Sequence, residues 1–484
     1  MNNRREFIKG LLIVGGASAL TTELLGGTSV NEVLANGLWS PPTSDPAWAQ
    51  LPGILSRIKA PVFPQRDFAI TRYGAVGDGI KDCTLAFARA IAACNRAGGG
   101  RVVVPAGKFL TGAIHLKSNV NLHVSAEATI LFSQDPLKYL PVVFSRWEGV
   151  ELMNYSPFIY AFEQQNIAIT GTGTLDGQSN NEAWWPWNGR DRYGWKEGQP
   201  NQRKDRAALL DMAERGVPVR QRVFGKGHYL RPQFIQPYRC KNVLIEGVTI
   251  KNSPMWEIHP VLSTNVTIQD VRISSHGPNN DGCDPESCTD VLIKGCYFDT
   301  GDDCIAIKAG RNADGRRLMA PSQNIVIQSC QMRDGHGGIT IGSEISGGVR
   351  NVFAENCRLD SPNLDHALRV KNNAMRGGLL ENFYFRNMDI GQVAHAAITI
   401  DFNYEEGAKG KFTPVMRNFV VNDLTSRKSK YAVDAQGFDH APIYNLRLEN
   451  CTFEKVETPS IVKNVQNMVL QNVRLNGKVV SSLS

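Results

Sequence analysis

The sequence lacks the long hydrophobic runs of membrane proteins: after residue 35, no apolar segment approaches the roughly 20 residues that a spanning helix needs. It also lacks the Cys-x-x-Cys spacing of many metal sites, although it contains 10 cysteines. Charged residues make up only 20% of the chain, glycine is plentiful, and the formal net charge is +7. This composition describes a folded protein rather than a disordered one, and the positive charge suits an anionic partner.

The first 35 residues have the pattern of an export signal. Arg4 and Arg5 are followed by an apolar run over residues 10–17, which is too short to cross a membrane as a stable helix. The arginine pair resembles a twin-arginine signal. We therefore expect residues 1–35 to be a cleaved signal, residues 36–65 to be a linker, and the mature bacterial protein to be periplasmic or secreted, without membrane attachment.

From Asn166 onward the chain repeats itself at intervals of roughly 22 to 36 residues, which is typical of a solenoid. The units start with a polar residue, at Asn242, Asn265, Asp290, Asn324, Asn351, Asn382, Asn418, Asn445 and Asn467. The first, third, sixth and eighth residues after each starter are nearly all apolar, which indicates two short strands joined by a bend. The sequence therefore predicts an all-β, single-stranded, right-handed parallel β-helix over residues 66–484.

The cysteines of the repeat are predicted to lie in its core. The sixth position holds Cys296, Cys330, Cys357 and Cys451 where other units have valine, leucine or methionine, so cysteine acts there as a small core hydrophobe rather than a disulfide or metal ligand.

Apolar residues at helical spacing predict a helix over residues 84–96. A solenoid needs its first coil covered, and we expect this helix to be the N-terminal cap.

The repeat is interrupted between about residues 178 and 240. This insertion is rich in tryptophan and arginine: Trp184, Trp185, Trp187, Trp195, Arg190, Arg192, Arg203 and Arg206. Residues 205–215 have the pattern of a helix. Insertions in solenoids commonly lie on the binding face, and these side chains would suit sugar rings and carboxylates. A packed flap without substrate contact fits the same composition.

Four short polar motifs lie between apolar strands: Asn279-Asn280-Asp281-Gly282, Gly301-Asp302-Asp303, Gly335-His336-Gly337 and Arg369-Val370-Lys371. Their order and wording resemble the active-site signature of the family 28 glycoside hydrolases, the polygalacturonases, and the resemblance extends over roughly residues 66 to 476. Two positions depart from the family's usual motifs, because Asn280 stands where threonine is usual and Gly301 where glutamine is frequent.

The spacing of these motifs makes a geometric prediction. Asp281, Asp303 and His336 each open the strand after a polar turn, so we expect them to stack in one column, about 4.8 Å apart on successive coils. Asp302 comes one residue earlier and can point elsewhere. Hydrolysis of a glycosidic bond needs an acid and a carboxylate that activates water. Three crowded carboxylates cannot all ionise easily, so one is expected to have a raised pKa and to be the acid.

The resemblance implies a role for each residue. Asp302 would be the general acid, Asp281 and Asp303 would hold and deprotonate the water, and His336 would set the protonation of the cluster. Three further residues would bind the substrate: Arg369, Lys371 and Tyr404. The implied reaction is inverting hydrolysis of galacturonan without a metal or organic cofactor. Nucleic acid is not expected as a partner, and the protein is expected to be a monomer or weak oligomer.

Other interpretations remain open at this point. The same mechanism could serve a rhamnogalacturonan hydrolase of the family. The carboxylate cluster by itself would also fit the Ca²⁺ site of a pectate lyase on the same fold. A β-helix that binds glycans without catalysis is a third possibility, although it would not need adjacent acids in one groove. The long insertion further suggests that one end of the groove is walled off, which would make the enzyme exo-acting.

Overall fold

The computed structural model describes residues 47–483. Within them, the chain winds into a right-handed parallel β-helix, as predicted, because equivalent strands of successive coils pair in parallel and in register. The largest sheet contains 26 strands and a second sheet contains six. Isolated bridges at Ile258 and Cys283 connect the six-stranded sheet to a three-stranded sheet nearer the N-terminus, so these strands form one continuous face of the solenoid.

The strands of the 26-stranded sheet are Asp67–Ala69, Asp78–Asp82, Gly100–Val104, Gly107–Thr111, Val120–Val124, Ala128–Phe132, Gln165–Gly171, Thr174–Asp176, Lys241–Glu246, Thr249–Lys251, Thr264–Gln269, Arg272–Ser275, Thr289–Lys294, Tyr297–Thr300, Ser322–Gln328, Gln331–Met332, Val349–Glu355, Arg358–Leu359, Leu379–Gln392, Val415–Lys428, Ile443–Glu449, Thr452–Phe453, Val465–Gln466, Val469–Gln471, Val473–Leu475 and Lys478–Val480. The six-stranded sheet contains Ile305–Ile307, Gly335–Ile341, Leu364–Lys371, Ala396–Asp401, Tyr431–Gln436 and Ile461–Lys463. Two three-stranded sheets contain Ile114–His115, Ile159–Phe162 and Ile235–Tyr238, and Val143–Trp147, Val150–Asn154 and Val223–Phe224.

Within residues 47–483, four α-helices accompany the sheets: α1 (Leu51–Arg57), α2 (Thr84–Arg96), α3 (Arg203–Glu214) and α4 (Asn312–Leu318). Helix α2 packs Phe87 and Ile91 into the first coils and is the expected cap. Helix α3 is the helix expected in the insertion. Helix α1 corrects the prediction that residues 36–65 are all linker: Leu51 and Ile54 are buried, and Arg57 binds Asp290 of the solenoid. The described part of the chain also contains six 3₁₀ segments: Trp48–Gln50, Ile70–Tyr73, Pro136–Tyr139, Trp185–Asn188, Asp191–Tyr193 and Val219–Gln221.

The interior is a continuous column of aliphatic and aromatic side chains contributed by the inward-facing positions of each coil. All 10 cysteines are buried and none forms a disulfide. This confirms the interpretation of cysteine as a small core hydrophobe. Since each coil buries its apolar face against its neighbours, the core grows with the length of the solenoid rather than with its width.

The polar residue that starts each repeat has a structural reason. These residues adopt positive φ, for example 58° at Asn265 and 57° at Asn324, a conformation that asparagine tolerates better than most residues. Their side chains form a ladder in which each amide Nδ2 donates to the Oδ1 of the preceding coil, as Asn265 does to Asn242 at 2.8 Å. The turn therefore requires asparagine or aspartate for its backbone, and the stacked amides satisfy one another.

The predicted export signal and the start of the predicted linker, through residue 46, lie outside the described residues. Both remain predictions from the sequence. Within residues 47–483, no helix combines the length and the apolar character needed to cross a membrane.

Candidate active site

The bridge between Cys283 and Ile305 sets the level of the first two acidic motifs. It places Asp281 directly beside Asp303 on the next coil, and the Gly282 N–H donates to the Asp303 carbonyl at 2.9 Å. The two aspartates therefore lie on adjacent coils of the same face, as the spacing of their motifs predicted.

The register of the following strand, Gly335–Ile341, corrects the third member of the predicted column. His336 lies beside Asp302 rather than beside Asp303. The backbone N–H of His336 donates to the backbone carbonyl of Asp302 at 3.0 Å. The residue that lies beside Asp303 on the next coil is Gly337. The sequence obscured this because the glycines around His336 have no side chains that would mark which positions face inward.

The three aspartates converge: one carboxylate oxygen from each of Asp281, Asp302 and Asp303 can be chosen so that all lie within 4.8 Å of one another. Asp303 is fully buried, Asp281 is 3% exposed, and the side chain of Asp302 is 20% exposed, so Asp302 is the most accessible of the three. Asp281 and Asp302 line a cleft of about 540 Å³, whereas Asp303 lies behind them.

Two cations from the strand Leu364–Lys371 neutralise Asp303. Lys371 Nζ lies 2.5 Å from Asp303 Oδ2, and Arg369 Nη1 lies 3.8 Å from Asp303 Oδ1. Thr340 Oγ1 also donates to Asp303 Oδ1 at 3.1 Å. Both cations line the cleft, as their alternation on one strand predicted, but each already faces an enzyme carboxylate as well as the cleft.

A third cation, Lys308, also belongs to this cluster and was not among the residues predicted from the sequence. Lys308 is buried, its Nζ lies 3.5 Å from Asp281 Oδ2 and 3.1 Å from Glu344 Oε2, and it sits 4.3 Å from the centre of the Trp256 ring. The signal was a lysine directly after the apolar strand Ile305–Ile307, at the same offset that Lys371 has in its own strand. With Lys308 included, the carboxylate cluster is surrounded by protein cations, an environment that opposes binding of Ca²⁺.

The protonation of the cluster follows from burial and charge. Burial, followed by the charge of Asp302, raises the pKa of Asp281 well above its usual value. The hydrogen bond to Asp302 and its charge raise the pKa of His336 to about 9. Burial works against ionisation of Asp302, but the hydrogen bond and charge of His336 outweigh it and lower the Asp302 pKa. The raised carboxyl pKa therefore belongs to Asp281 and not to Asp302, contrary to the expectation.

His336 and Asp302 form a hydrogen-bonded pair. The distance from His336 Nδ1 to Asp302 Oδ1 is 3.1 Å, and His336 also lines the cleft. With its raised pKa, His336 carries a proton at neutral pH, and that proton faces the Asp302 carboxylate. The pair thus stores one proton at the edge of the cleft.

Two further titratable residues near the acidic motifs, Asp284 and His259, do not line the cleft. Asp284 is fully buried, neither of its carboxylate oxygens has a hydrogen-bond partner among the described residues, and burial raises its pKa. His259 is also fully buried, with Nε2 2.7 Å from Glu286 Oε2 and Nδ1 3.0 Å from Gln236. His259 therefore has a role in the interior and does not line the cleft.

Tyr404 lies where the sequence placed it. It lines the cleft, and its ring centre is 5.3 Å from Lys371 Nζ and 5.7 Å from the Arg369 guanidinium carbon. All seven residues proposed from the sequence therefore belong to one cluster, six of them on the surface of the cleft and Asp303 beneath it.

The insertion forms one wall of this cleft. Its contributing residues are Asn188, Arg190, Arg192, Tyr193, Gln202, Arg203 and Arg206. The segment is tied to the acidic motif, because Asn188 Nδ2 donates to Asn279 Oδ1 at 3.3 Å. The insertion therefore borders the candidate acids, which favours a binding wall over a packed flap without substrate contact.

A network of ion pairs lines the cleft next to this wall. Glu148 Oε2 binds Arg206 Nε at 2.7 Å and Arg311 Nη1 at 3.1 Å, and Arg311 Nη1 lies 3.5 Å from Glu344 Oε1. Arg311 Nη2 also reaches Glu405 at 3.5 Å. The network joins five separate segments of the chain, and all five residues line the cleft.

Comparisons with known proteins match the chain to a family. The family model described as Glycosyl hydrolases family 28 matches residues 224–473, just over half of the chain. A second model, Rhamnogalacturonase A/epimerase, pectate lyase-like, matches residues 68–129.

Individual relatives cover most of the chain. A probable polygalacturonase of Vitis vinifera is 29% identical over 401 residues, 79% of this chain and 73% of the relative. An exo-poly-alpha-D-galacturonosidase of Dickeya chrysanthemi is 30% identical over 381 residues, 74% of this chain and 62% of the relative. The solved structure of a hyperthermoactive exopolygalacturonase from Thermotoga maritima is 49% identical, covers 89% of this chain and 96% of that chain, and superposes with a TM-score of 0.87.

Proposed function

The chain belongs to glycoside hydrolase family 28, and from this membership we propose that it is an exo-acting polygalacturonase that hydrolyses the α-1,4-galacturonosyl bonds of pectin. The observation that carries the proposal is the convergence of Asp281, Asp302 and Asp303 beside Arg369 and Lys371, in a cleft walled by the insertion. An acid, a base and carboxylate-binding cations are the groups that hydrolysis of a polyuronate requires.

Asp302 is proposed as the general acid. It is the most exposed of the three carboxyl groups and faces the cleft. In the free enzyme its proton resides mainly on His336, 3.1 Å away. A sugar that fills the cleft removes water from this ion pair and favours its neutral form, with the proton on Asp302, because burial disfavours charge. The acid then protonates the departing glycosidic oxygen, and His336 supplies the proton store.

Asp281 and Asp303 are proposed to hold and deprotonate the attacking water. Burial raises the pKa of Asp281, so its ionised form is a strong base. Asp303 is held by Lys371 and Thr340 behind the cleft, which suits an anchoring role better than direct attack on the sugar. A water-mediated attack inverts the anomeric configuration. One oxygen from each carboxylate lies within 4.8 Å of the others, which is closer than the roughly 6.5–9.5 Å carboxyl separation usual for inversion.

Arg369 and Lys371 are proposed to bind the carboxylate of a galacturonate at the cleaved bond. Arg369 suits this role because its guanidinium has five N–H donors, and within the described chain it makes one hydrogen bond, to the His336 carbonyl at 3.2 Å. Tyr404 packs against both cations and offers a ring beside the same sugar. Cations that bind a substrate carboxylate at the cleaved bond favour galacturonan over rhamnogalacturonan as the substrate.

Exo action is supported by the walls of the cleft. The insertion and the paired residues Glu148 and Arg311 line the cleft together. We infer that they block one end of it, so that a polymer enters by its terminus. The cations around the carboxylate cluster disfavour the calcium-dependent lyase. A glycan-binding scaffold without catalysis gives no reason to bring three acids within 4.8 Å. Export to the periplasm or the medium, and a monomeric or weakly associated state, are proposed from the sequence alone.

The deciding experiment is incubation of the purified protein with polygalacturonate in EDTA. We expect reducing ends to appear without the absorbance of unsaturated uronates, and the earliest product to be a mono- or disaccharide. NMR of the first product should show inverted configuration. A ladder of long oligomers would refute exo action, an unsaturated product that EDTA suppresses would indicate the lyase, and inactivity on every pectic polymer would favour the scaffold.

A further inference from the structure

The four arginines of the insertion that line the cleft have different surroundings. Arg206 is engaged by Glu148, with Nε 2.7 Å from the carboxylate. Arg203 donates to the carbonyl of Gly189 and lies 5.1 Å from the centre of the Trp195 ring, so it serves the structure of the insertion. Both of these guanidinium groups are therefore already used by the protein.

Arg190 and Arg192 are different. Both are exposed and both line the cleft. Over residues 47–483, no carboxylate forms an ion pair with either of them. Two cations without a protein counter-ion in a substrate cleft are available for an anionic ligand, and guanidinium groups bind carboxylates with two parallel hydrogen bonds.

The segment that carries these arginines is fixed against the acidic motif. Trp185 Nε1 donates to the Ser253 carbonyl at 2.9 Å, and Asn188 Nδ2 donates to Asn279 Oδ1 at 3.3 Å. The buried Arg231 donates to the same Asn279 oxygen at 2.8 Å and to Gln202 Oε1 at 3.1 Å. Asn279 lies two residues before Asp281, so the arginines are anchored beside the candidate acids.

Arg192 is also held in place by an aromatic ring. Its guanidinium carbon lies 4.7 Å from the centre of the Tyr193 ring, and Tyr193 itself lines the cleft. A ring and a cation side by side match a uronate sugar, which has an apolar ring face and a carboxylate. The cation–π contact limits the freedom of the guanidinium before a ligand arrives, so less entropy is lost on binding.

Acidic rather than basic residues follow the strand that carries Arg369 and Lys371. Beyond Arg369 and Lys371, the following coils present Asp401 and Asp434, and Asp365 lines the cleft itself. His366 adds no charge there, because burial, followed by the charge of Arg369, lowers its pKa to about 2. Groups of this kind do not attract a second substrate carboxylate, so the unpaired positive charge is concentrated on the insertion.

We propose that Arg190, Arg192 and the ring of Tyr193 form a second carboxylate-binding site, for a uronate of the same polymer next to the one held by Arg369 and Lys371. This inference rests on the proposed function and deepens it. Productive substrates must carry two free carboxylates within the cleft. Methyl esterification of either of the two sugars therefore weakens binding, even when the other sugar is unesterified.

The test measures kcat and KM on polygalacturonate for Arg190→Gln, Arg192→Gln and the double variant. Arg220→Gln is the matched control, because Arg220 is exposed in the same insertion but does not line the cleft. We expect KM to rise about tenfold for each single variant, the loss of one charged hydrogen bond, with kcat changed less than about twofold. Arg190→Lys should recover part of the loss, since it keeps the charge but not the paired donors.

Substrate esterification provides a second readout. Random methyl esterification should raise the KM of the wild-type enzyme and of Arg220→Gln, and it should raise the KM of the double variant much less. If wild type is active and Arg190→Gln and Arg192→Gln keep its KM, the second site is refuted while the polygalacturonase function stands. A fall in kcat at unchanged KM would also refute it. An inactive wild type would overturn the proposed function instead.

Discussion

His336 Nδ1 lies 3.1 Å from Asp302 Oδ1, on the coil that follows the adjacent aspartates. This pairing gives the two neighbours Asp302 and Asp303 different partners: Asp302 has a histidine that can share a proton, and Asp303 has the permanent cation of Lys371, 2.5 Å away. Two adjacent carboxyl groups thereby acquire different chemistry, because one faces a titratable group and the other does not.

Removing the proposed acid should abolish catalysis without unfolding the protein. Asp302→Asn cannot donate a proton to the leaving oxygen, and we expect kcat on polygalacturonate to fall by about 10²–10⁴-fold. The control is Asp389→Asn, which removes an exposed carboxylate paired with Arg427 on the solenoid and should keep full activity. Wild-type activity in Asp302→Asn, with an unchanged circular dichroism spectrum, would show that Asp302 is not the general acid.

The alkaline limit of the reaction should depend on His336. Its pKa of about 9 keeps a proton on the Asp302–His336 pair at neutral pH, so kcat/KM should decline as the pH rises through about 9. In His336→Gln this limb should disappear and the remaining rate should be low, because no proton is stored beside Asp302. The pH–rate profiles of the two proteins from pH 5 to 10 test this, and identical alkaline limbs would contradict it.

The same pair should make stability depend on pH. The folded-state pKa of His336 is raised above the unfolded value of about 6.5, so its stabilising contribution is fully present below that pH. The contribution is then lost as the pH rises through about 9. The Tm difference between wild type and His336→Gln should therefore be largest near pH 6 and should shrink by pH 10. A Tm difference that grows with pH would show that His336 does not stabilise the fold through its protonated form.

Lys308 should matter for stability as well as for the site. It is buried between Asp281 and Glu344, and removing one partner of a buried ion pair costs about 3–5 kcal/mol. Chemical denaturation of Lys308→Met should show a loss of this size. Lys428→Met is the control, because Lys428 is 45% exposed and lies 3.9 Å from Glu457, so its loss should be below about 1 kcal/mol. Equal effects of both variants would contradict the assignment.

The docking of helix α1 should depend on the aspartate in the asparagine ladder. Asp290 accepts two hydrogen bonds from Arg57 and has no amide to donate to Asn265 Oδ1, which instead accepts from the Lys59 N–H at 2.8 Å. Asp290→Asn restores the donor and loses the ion pair. We expect faster trypsin cleavage at residues 57–59 with little change in global stability. Unchanged cleavage would show that burial of Leu51 and Ile54 suffices to hold the helix.

The fold was predictable because its signal is local and repeated. A starter at Asn242, Asn265 or Asn324 requires positive φ, and the apolar offsets after it mark the inward face of each coil. The same pattern explained why Cys330 and Cys357 are core residues. Helix α1 escaped prediction because its reason for being ordered, the contact of Arg57 with Asp290, lies 233 residues away along the chain.

The candidate site was predictable as a set of residues but not as an arrangement. The motifs around Asp281, Asp302 and Lys371 carry unusual charge in apolar surroundings, so the sequence by itself determined which residues meet. Only the tertiary structure decided that His336 lies beside Asp302, that Lys308 lies beside Asp281, and that the insertion lines the cleft. The physical reason is that register and burial depend on pairing between coils, and both the level of a side chain and its pKa are set by neighbours far away in sequence.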